Sequence, residues 1–281
     1  MHERSDNLKK RAYEIDLLRG IAVIMMMFDH LMNDIGDLMP FLFSDFPRSG
    51  TFWFNLVSLA DNYWHWDVRM AFHYVFCFVF LGLTGVCCSF SRNNLFRGLK
   101  LSLVAIVLTV LTYFAGKITG DRNFTITFGV LHCIALTLIA VGLLEKFCDN
   151  KWVYLIIGAI MVAVGTYFEL TGSSVSYASA SLPTWQRFVE NLKIVACEII
   201  GIKLAGEDCF PWLFNGGQVF IGVFLGKRFY KEKKSLFGWE YKNNAVSFCG
   251  RYSLFVYLAH QVIIPVILAL ILIICGYRLQ I

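Results

Sequence analysis

Tyr252–Cys275, YSLFVYLAHQVIIPVILALILIIC, holds no Asp, Glu, Lys or Arg across its 24 positions, and His260 and Gln261 are its most polar members. A hydrocarbon core ~30 Å thick is crossed by a helix of about 20 apolar residues, with roughly 17 as the lower limit. The stretch therefore reads as a transmembrane helix. Six more runs read the same way: 16–35, 70–90, 99–116, 126–144, 152–170 and 210–226, with 99–116 and 210–226 marginal in length. The composition agrees. The chain is 57% hydrophobic and 16% charged, whereas a soluble domain carries about a quarter charged residues to cover its core. The expected fold class is all-α: a polytopic helix bundle of about seven transmembrane helices, with residues 1–281 forming a single membrane domain and no internal repeat.

Lys and Arg set the orientation, because they concentrate in cytoplasmic loops. With the N-terminus inside, fifteen of the 25 fall in inner segments and eight in outer ones, although the outer segments are longer. The C-terminus is then outside. The first run continues into Asp29, His30 and Asp34 without a small-residue cleavage site, so it reads as a span and not a signal peptide. The expected location is the inner (cytoplasmic) membrane of a cell, with multiple passes. The outer segment 36–69 is rich in Trp and other aromatics suited to the interface. Residues 171–209 open on the serine-rich run Ser173–Ser181 and continue as an amphipathic helix over Trp185–Leu204. The net charge of +5 is spread over the ends of apolar runs and not along one face, which excludes nucleic acid as a partner. Cysteines such as Cys77, Cys88 and Cys133 lie in apolar runs, where a thiol packs as a small hydrophobe. No Cys/His ligand spacing occurs, so no metal is expected.

Ionisable groups inside spans are costly and mark function. The first run holds Asp16, Arg19, Asp29, His30 and Asp34. Arg19 and His30 are eleven residues apart, three helical turns plus roughly 20°, so they share a face and lie ~16 Å apart along the axis. Asp34 follows His30 at i, i+4, where a carboxylate can fix an imidazole's tautomer and raise its basicity. His132 lies at a similar depth in the fourth run. His73 and His260 read as packing residues, His65 as an interfacial one. Arg19 has a bland reading too: it can snorkel to inner headgroups and pair with Asp16.

RAYEIDLLRGIAVIMMMFDHLMNDIG (Arg11–Gly36) resembles the opening helix of bacterial relatives of heparan-α-glucosaminide N-acetyltransferase. FGVLHCIALTLI (Phe128–Ile139), DCFPWLFNGGQVFIGVFLGK (Asp208–Lys227) and CGRYSLFVYLAHQVIIPVI (Cys249–Ile267) resemble later parts of that family in the same order. The spacing of Arg19 and His30 is also similar to a first-helix signature of the wider transmembrane acyltransferases. The resemblance implies a transferase that takes an acyl group, expected to be acetyl, from cytoplasmic acyl-CoA and delivers it to a sugar or glycan at the outer side. Acetyl-CoA is then a co-substrate, and a homodimer is left open. The residues expected to carry the reaction are His30 as base, Asp34 as its orienting group and His132 as oxyanion donor or acceptor-binding group. Arg19, Asp16, Arg92 and Arg97 are expected at the CoA end. The rival reading is a proton-coupled small-molecule transporter or channel, in which the same ionisable groups would form a relay.

Overall fold

The computed structural model describes residues 12–119, 125–174, 183–204, 209–232 and 234–280. Most of the serine-rich run, with Arg122, lies outside the described residues. The described chain is all-α apart from a two-residue parallel ladder, Ser173–Ser174 with Lys203–Leu204, and an isolated antiparallel bridge between Phe43 and Leu279. It forms two compact units, one within Met1–Phe80 and Lys234–Ile281, the other within Leu81–Lys233.

In the first unit α1 spans Tyr13–Asn33, then widens into a π-helical turn at Asp34–Leu38 before a last α turn at Met39–Leu42. α2 is Phe52–Trp64, started by Thr51, whose hydroxyl accepts from the Phe54 N–H. α3, Asp67–Val86, begins here. α9 is Ala245–Arg251, capped by Asn244, and α10 is Ser253–Ile274. α1 and α9 touch backbone to backbone. A Cβ on Gly20 would stand 1.9 Å from the Val246 carbonyl oxygen, and one on Gly250 1.7 Å from that of Asp16. Only glycine permits such an approach.

α1 and α10 run in the same direction. Arg19 meets Ser253, His30 meets His260, and the Gln280 N–H donates to the Leu42 carbonyl at 2.7 Å. Between these contacts lies an apolar core of Ile35, Met39, Phe43, Leu268, Leu272 and Tyr277. The start of α1 is tied down by polar groups. Buried Glu14 accepts from the Ser235 hydroxyl and the Leu236 N–H, both at 2.7 Å, and buried Asp16 accepts from Tyr241 at 3.1 Å.

In the second unit α4 is Asn94–Thr119, α5 Val130–Leu144, α6 Lys151–Thr171, α7 Thr184–Ile200 and α8 Trp212–Phe229. Small residues again set the packing. A Cβ on Gly165 would meet the Phe214 backbone nitrogen at 2.3 Å, and one on Gly142 that of Leu95 at 2.3 Å. The amphipathic segment forms α7 and stops at Gly201, whose φ of +97° is left-handed, a conformation that glycine adopts without strain. Glu198 on α7 is buried and accepts from Thr127 at 2.8 Å.

Among the described residues four helices are long and apolar enough to cross a membrane: Asp67–Phe90, Asn94–Thr119, Lys151–Thr171 and Ser253–Ile274. The other three runs are helical as well, but each falls short for a reason visible in its residues. α1 is 21 residues long yet carries Glu14, Asp16, Arg19 and Asp29. α8 carries Asn215, Gln218, Lys227 and Arg228 among its 18 residues. α5 has 15 residues, or about 22 Å of helix, because residues 126–129 are not helical and Gly129 only caps it.

Candidate active site

The interior of the first unit gathers ionisable side chains around Asp29, one residue before the His30 singled out by the sequence. One oxygen of Asp29 lies 3.1 Å from Arg69 Nη2 and 3.1 Å from His73 Nδ1. The other accepts from the Tyr63 hydroxyl. Arg69 is buried, and its guanidinium stands 3.7 Å from the centroid of the Trp64 ring. Burial and then the Asp29 carboxylate push the Tyr63 phenol up to about 12, so it remains a donor. His73 is held at its other nitrogen by Cys77 Sγ at 3.6 Å. α1, α2 and α3 therefore converge on one carboxylate. A buried Arg close to a carboxylate is stable only while both remain.

His30 lies on the next position of α1 and turns toward α10. Its ring is edge-on to that of His260, with centroids 5.0 Å apart and planes at 80°. His260 is buried, and its Nδ1 lies 3.2 Å from the Val256 carbonyl oxygen. A carbonyl only accepts, so Nδ1 carries the proton and Nε2 presents its lone pair. That Nε2 is buried and has no hydrogen-bond partner among the described residues. A neutral, oriented imidazole with a vacant lone pair is a base waiting for a proton donor.

The shared face of Arg19 and His30 holds: both point at α10, seven residues apart on that helix, at Ser253 and His260. Arg19 Nη2 donates to the Ser253 hydroxyl at 2.5 Å. Asp34 is buried, but no side-chain hydrogen bond joins it to His30 among the described residues. The Asp34 N–H still bonds to the His30 carbonyl, so the two remain i, i+4 neighbours on the helix and the π turn opens only after them. The spacing is kept without a side-chain hydrogen bond.

The remaining expected residues lie in the second unit. His132 takes both of its ring nitrogens into the start of α5. Thr109 donates its hydroxyl proton to the Ile126 carbonyl at 2.8 Å, so His132 Nε2, 3.0 Å away, must donate to Thr109. His132 Nδ1 accepts the Gly129 N–H at 3.3 Å. A substrate would engage this ring only by breaking one of these bonds. Arg92 is exposed, and half-buried Arg97 donates to the Cys87 carbonyl at 3.4 Å. Among the described residues no group of His, Cys, Asp and Glu could hold a metal.

Asp29, Arg69, His73 and His260 are the residues that the spacing argument passed over. The signal was present: Arg69 and His73 sit at i, i+4 in the third helix, and an Arg in an apolar run implies a carboxylate on a neighbour.

The sequence model of the family described as heparan-alpha-glucosaminide N-acetyltransferase, catalytic, matches residues 11–262. The match runs through both units and includes each of the candidate site residues. No curated protein and no solved structure matches the chain.

Proposed function

The chain belongs to the heparan-alpha-glucosaminide N-acetyltransferase catalytic family, and from that premise we propose that it moves an acetyl group from cytoplasmic acetyl-CoA to a sugar at the outer side of a cell's inner membrane. The observation that carries the chemistry is the pair of imidazoles in the first unit, His30 and His260, 5.0 Å apart, with His260 Nε2 buried and unengaged. Acetyl transfer needs one base. The acceptor's hydroxyl or amine gives its proton to His30 as its lone pair attacks the thioester carbonyl carbon. The tetrahedral oxyanion then collapses, the C–S bond breaks, and CoA leaves as a thiolate that takes up a proton. Positioned base catalysis of this kind contributes about 10²–10⁴-fold.

In this reading His260 orients His30 and receives or relays the proton. Asp29 keeps a negative charge beside the pair and holds Arg69 and His73 in fixed positions. Asp34, buried without a side-chain bond to His30, lines the acceptor side. Arg19 and Asp16, nearer the start of α1, face the donor, with Arg92 and Arg97 at the same end of the chain's charge pattern. His132 supports the acceptor end through the start of α5. The two units act together as one catalytic domain, and the match across both supports this.

The seven-span topology with N-terminus inside is supported by two facts. α1 and α10 run in the same direction, so the two ends of the chain leave opposite ends of the first unit, as an odd number of crossings requires. The charge asymmetry of the loops then orients it. The test is direct. The purified chain in nanodiscs is given acetyl-CoA and a panel of amino sugars and neutral sugars, and free CoA and acetylated sugar are measured by mass spectrometry. Equal amounts of both are expected with at least one acceptor. Proton or solute flux in liposomes with no thioester consumed under any condition would replace this reading with a transporter or channel.

A further inference from the structure

Within the second unit a cavity of about 560 Å³ opens where α3, α5 and α8 end and α6 begins, lined by Ser89, Glu145, Lys151, Lys227, Tyr230 and Lys231 among others. The size is within the ~300–1,000 Å³ range of small-molecule pockets. Its charges are not equivalent. Lys227 is committed within the fold: its Nζ is 3.4 Å from Glu145 Oε1 and 5.0 Å from the centroid of the Tyr154 ring. The second oxygen of Glu145 accepts from Asn94 at 2.9 Å. Lys151 and Lys231 have no ion-pair partner among the described residues. Asp149, also on the wall, is exposed.

A second observation points into the same space. The Ser89 hydroxyl oxygen is buried and has no hydrogen-bond partner among the described residues. Gly226 leaves room for it, since a Cβ there would stand 2.4 Å from that oxygen. The cavity therefore offers two uncommitted ammonium groups and one hydroxyl that lacks a partner, on walls drawn from 88–91, 145–151 and 226–231. Those are segments that the loop charge pattern assigns to the inner side.

We infer that this cavity is a phosphate-binding site, in which Lys151 and Lys231 supply the positive charge and Ser89 donates a hydrogen bond to a phosphoryl oxygen. Ammonium groups bind phosphate as point charges without demanding one fixed geometry. The inference deepens the proposed function and rests on it in one respect: the occupant is the phosphate end of acyl-CoA, which carries a 3′-phosphate and a diphosphate. A phospholipid headgroup presents the same chemistry.

The test uses the full chain in detergent, with binding of CoA and of acetyl-pantetheine, which lacks the phosphates, measured by calorimetry. Lys151→Gln/Lys231→Gln should weaken CoA at least tenfold, leave acetyl-pantetheine unchanged, and flatten the salt dependence of CoA binding. Ser89→Ala should weaken CoA to a smaller extent. In parallel, native mass spectrometry compares retention of phosphatidylglycerol and phosphatidylcholine by wild type and double variant. If CoA affinity is unchanged but the double variant loses retained phospholipid, the site is a phosphate site whose source is a headgroup. If neither ligand is affected in a folded double variant, the inference is overturned. A wild-type chain that binds no CoA at all would fail the acyl-CoA reading, and the lipid arm alone would then decide the cavity.

Discussion

His30 and His260 meet ring to edge at 5.0 Å across α1 and α10, although 230 residues separate them in sequence. The contact is possible because the two helices run in the same direction, with Arg19 and Ser253 paired toward their starts. Most of what can be tested depends on this alignment, on the carboxylate beside it, and on the glycines that let α9 lie against α1.

Asp29 joins three helices to one charge. Asp29→Ala would leave Arg69 buried without its anion, and breaking a buried pair costs about 3–5 kcal/mol. Thermal unfolding in detergent should show a large fall in midpoint. Asp29→Asn keeps a hydrogen-bond acceptor for Tyr63 and should fall between that variant and wild type. An Asp29→Ala protein as stable as wild type would mean that Arg69 finds another partner.

Gly20→Ala and Gly250→Ala should each damage folding, since the new methyl would lie under 2 Å from a backbone carbonyl oxygen that cannot rotate away. Overpacking costs about 1–3 kcal/mol even where side chains can adjust, and here backbones would have to separate. Gly82→Ala, which meets nothing within 4 Å, is the control. The readout is yield of monodisperse protein and its unfolding midpoint, with the first two lowered and the third unchanged.

How much of this was legible beforehand follows the range of the interaction. The helices, the face shared by Arg19 and His30, and the amphipathic character of α7 all follow from local periodicity, and the structure keeps them. The choice of Asp34 as the partner of His30 rested on i, i+4 spacing in an unbroken α-helix. That backbone spacing is kept, since the Asp34 N–H bonds to the His30 carbonyl. Period alone does not decide where two neighbouring side chains turn, and no side-chain hydrogen bond joins these two among the described residues. Asp29 was visible as an intramembrane carboxylate, but its partners come from α2 and α3, 34 to 44 positions away. Pairing at that distance is set by packing and not by period. His260 reads as apolar-run packing until α10 is laid beside α1. The lysines of the second unit read as interface charges in sequence, and only the convergence of four helix ends makes a cavity of them.

The corner between α1 and the C-terminus should be acid-sensitive. The Arg48 guanidinium, and then the Arg278 N–H, hold the Asp45 carboxyl below its ordinary range. A depressed carboxyl contributes stability above its unfolded value of ~4, and that contribution is lost as pH falls through the lower folded value. Arg48 also donates to the Gly276 carbonyl at 2.7 Å and stacks over Tyr277. Hydrogen exchange at residues 276–280 should therefore speed up below about pH 4 and be constant between pH 5 and 8. Asp45→Asn should show the faster exchange at every pH.

The last prediction concerns the base. His30→Ala should remove acetyl transfer by about 10²–10⁴-fold while CoA still binds, because the phosphate end of the donor is held by other residues. His260→Ala should give a smaller loss, since its imidazole acts through His30. His260→Gln is the informative partner variant, as its amide can still bond the Val256 carbonyl and meet His30. Partial recovery of kcat over His260→Ala, with KM for acetyl-CoA unchanged in both, would identify His260 as a positioning residue. Equal loss in the two His260 variants together with a flattened pH–rate profile would instead make His260 the base. His65→Ala, in the exposed turn that follows α2, should behave as wild type. A His30→Ala protein that transfers acetyl at near wild-type rate would remove His30 from the mechanism. The search would then turn to His73, the imidazole bonded to Asp29, and to His132.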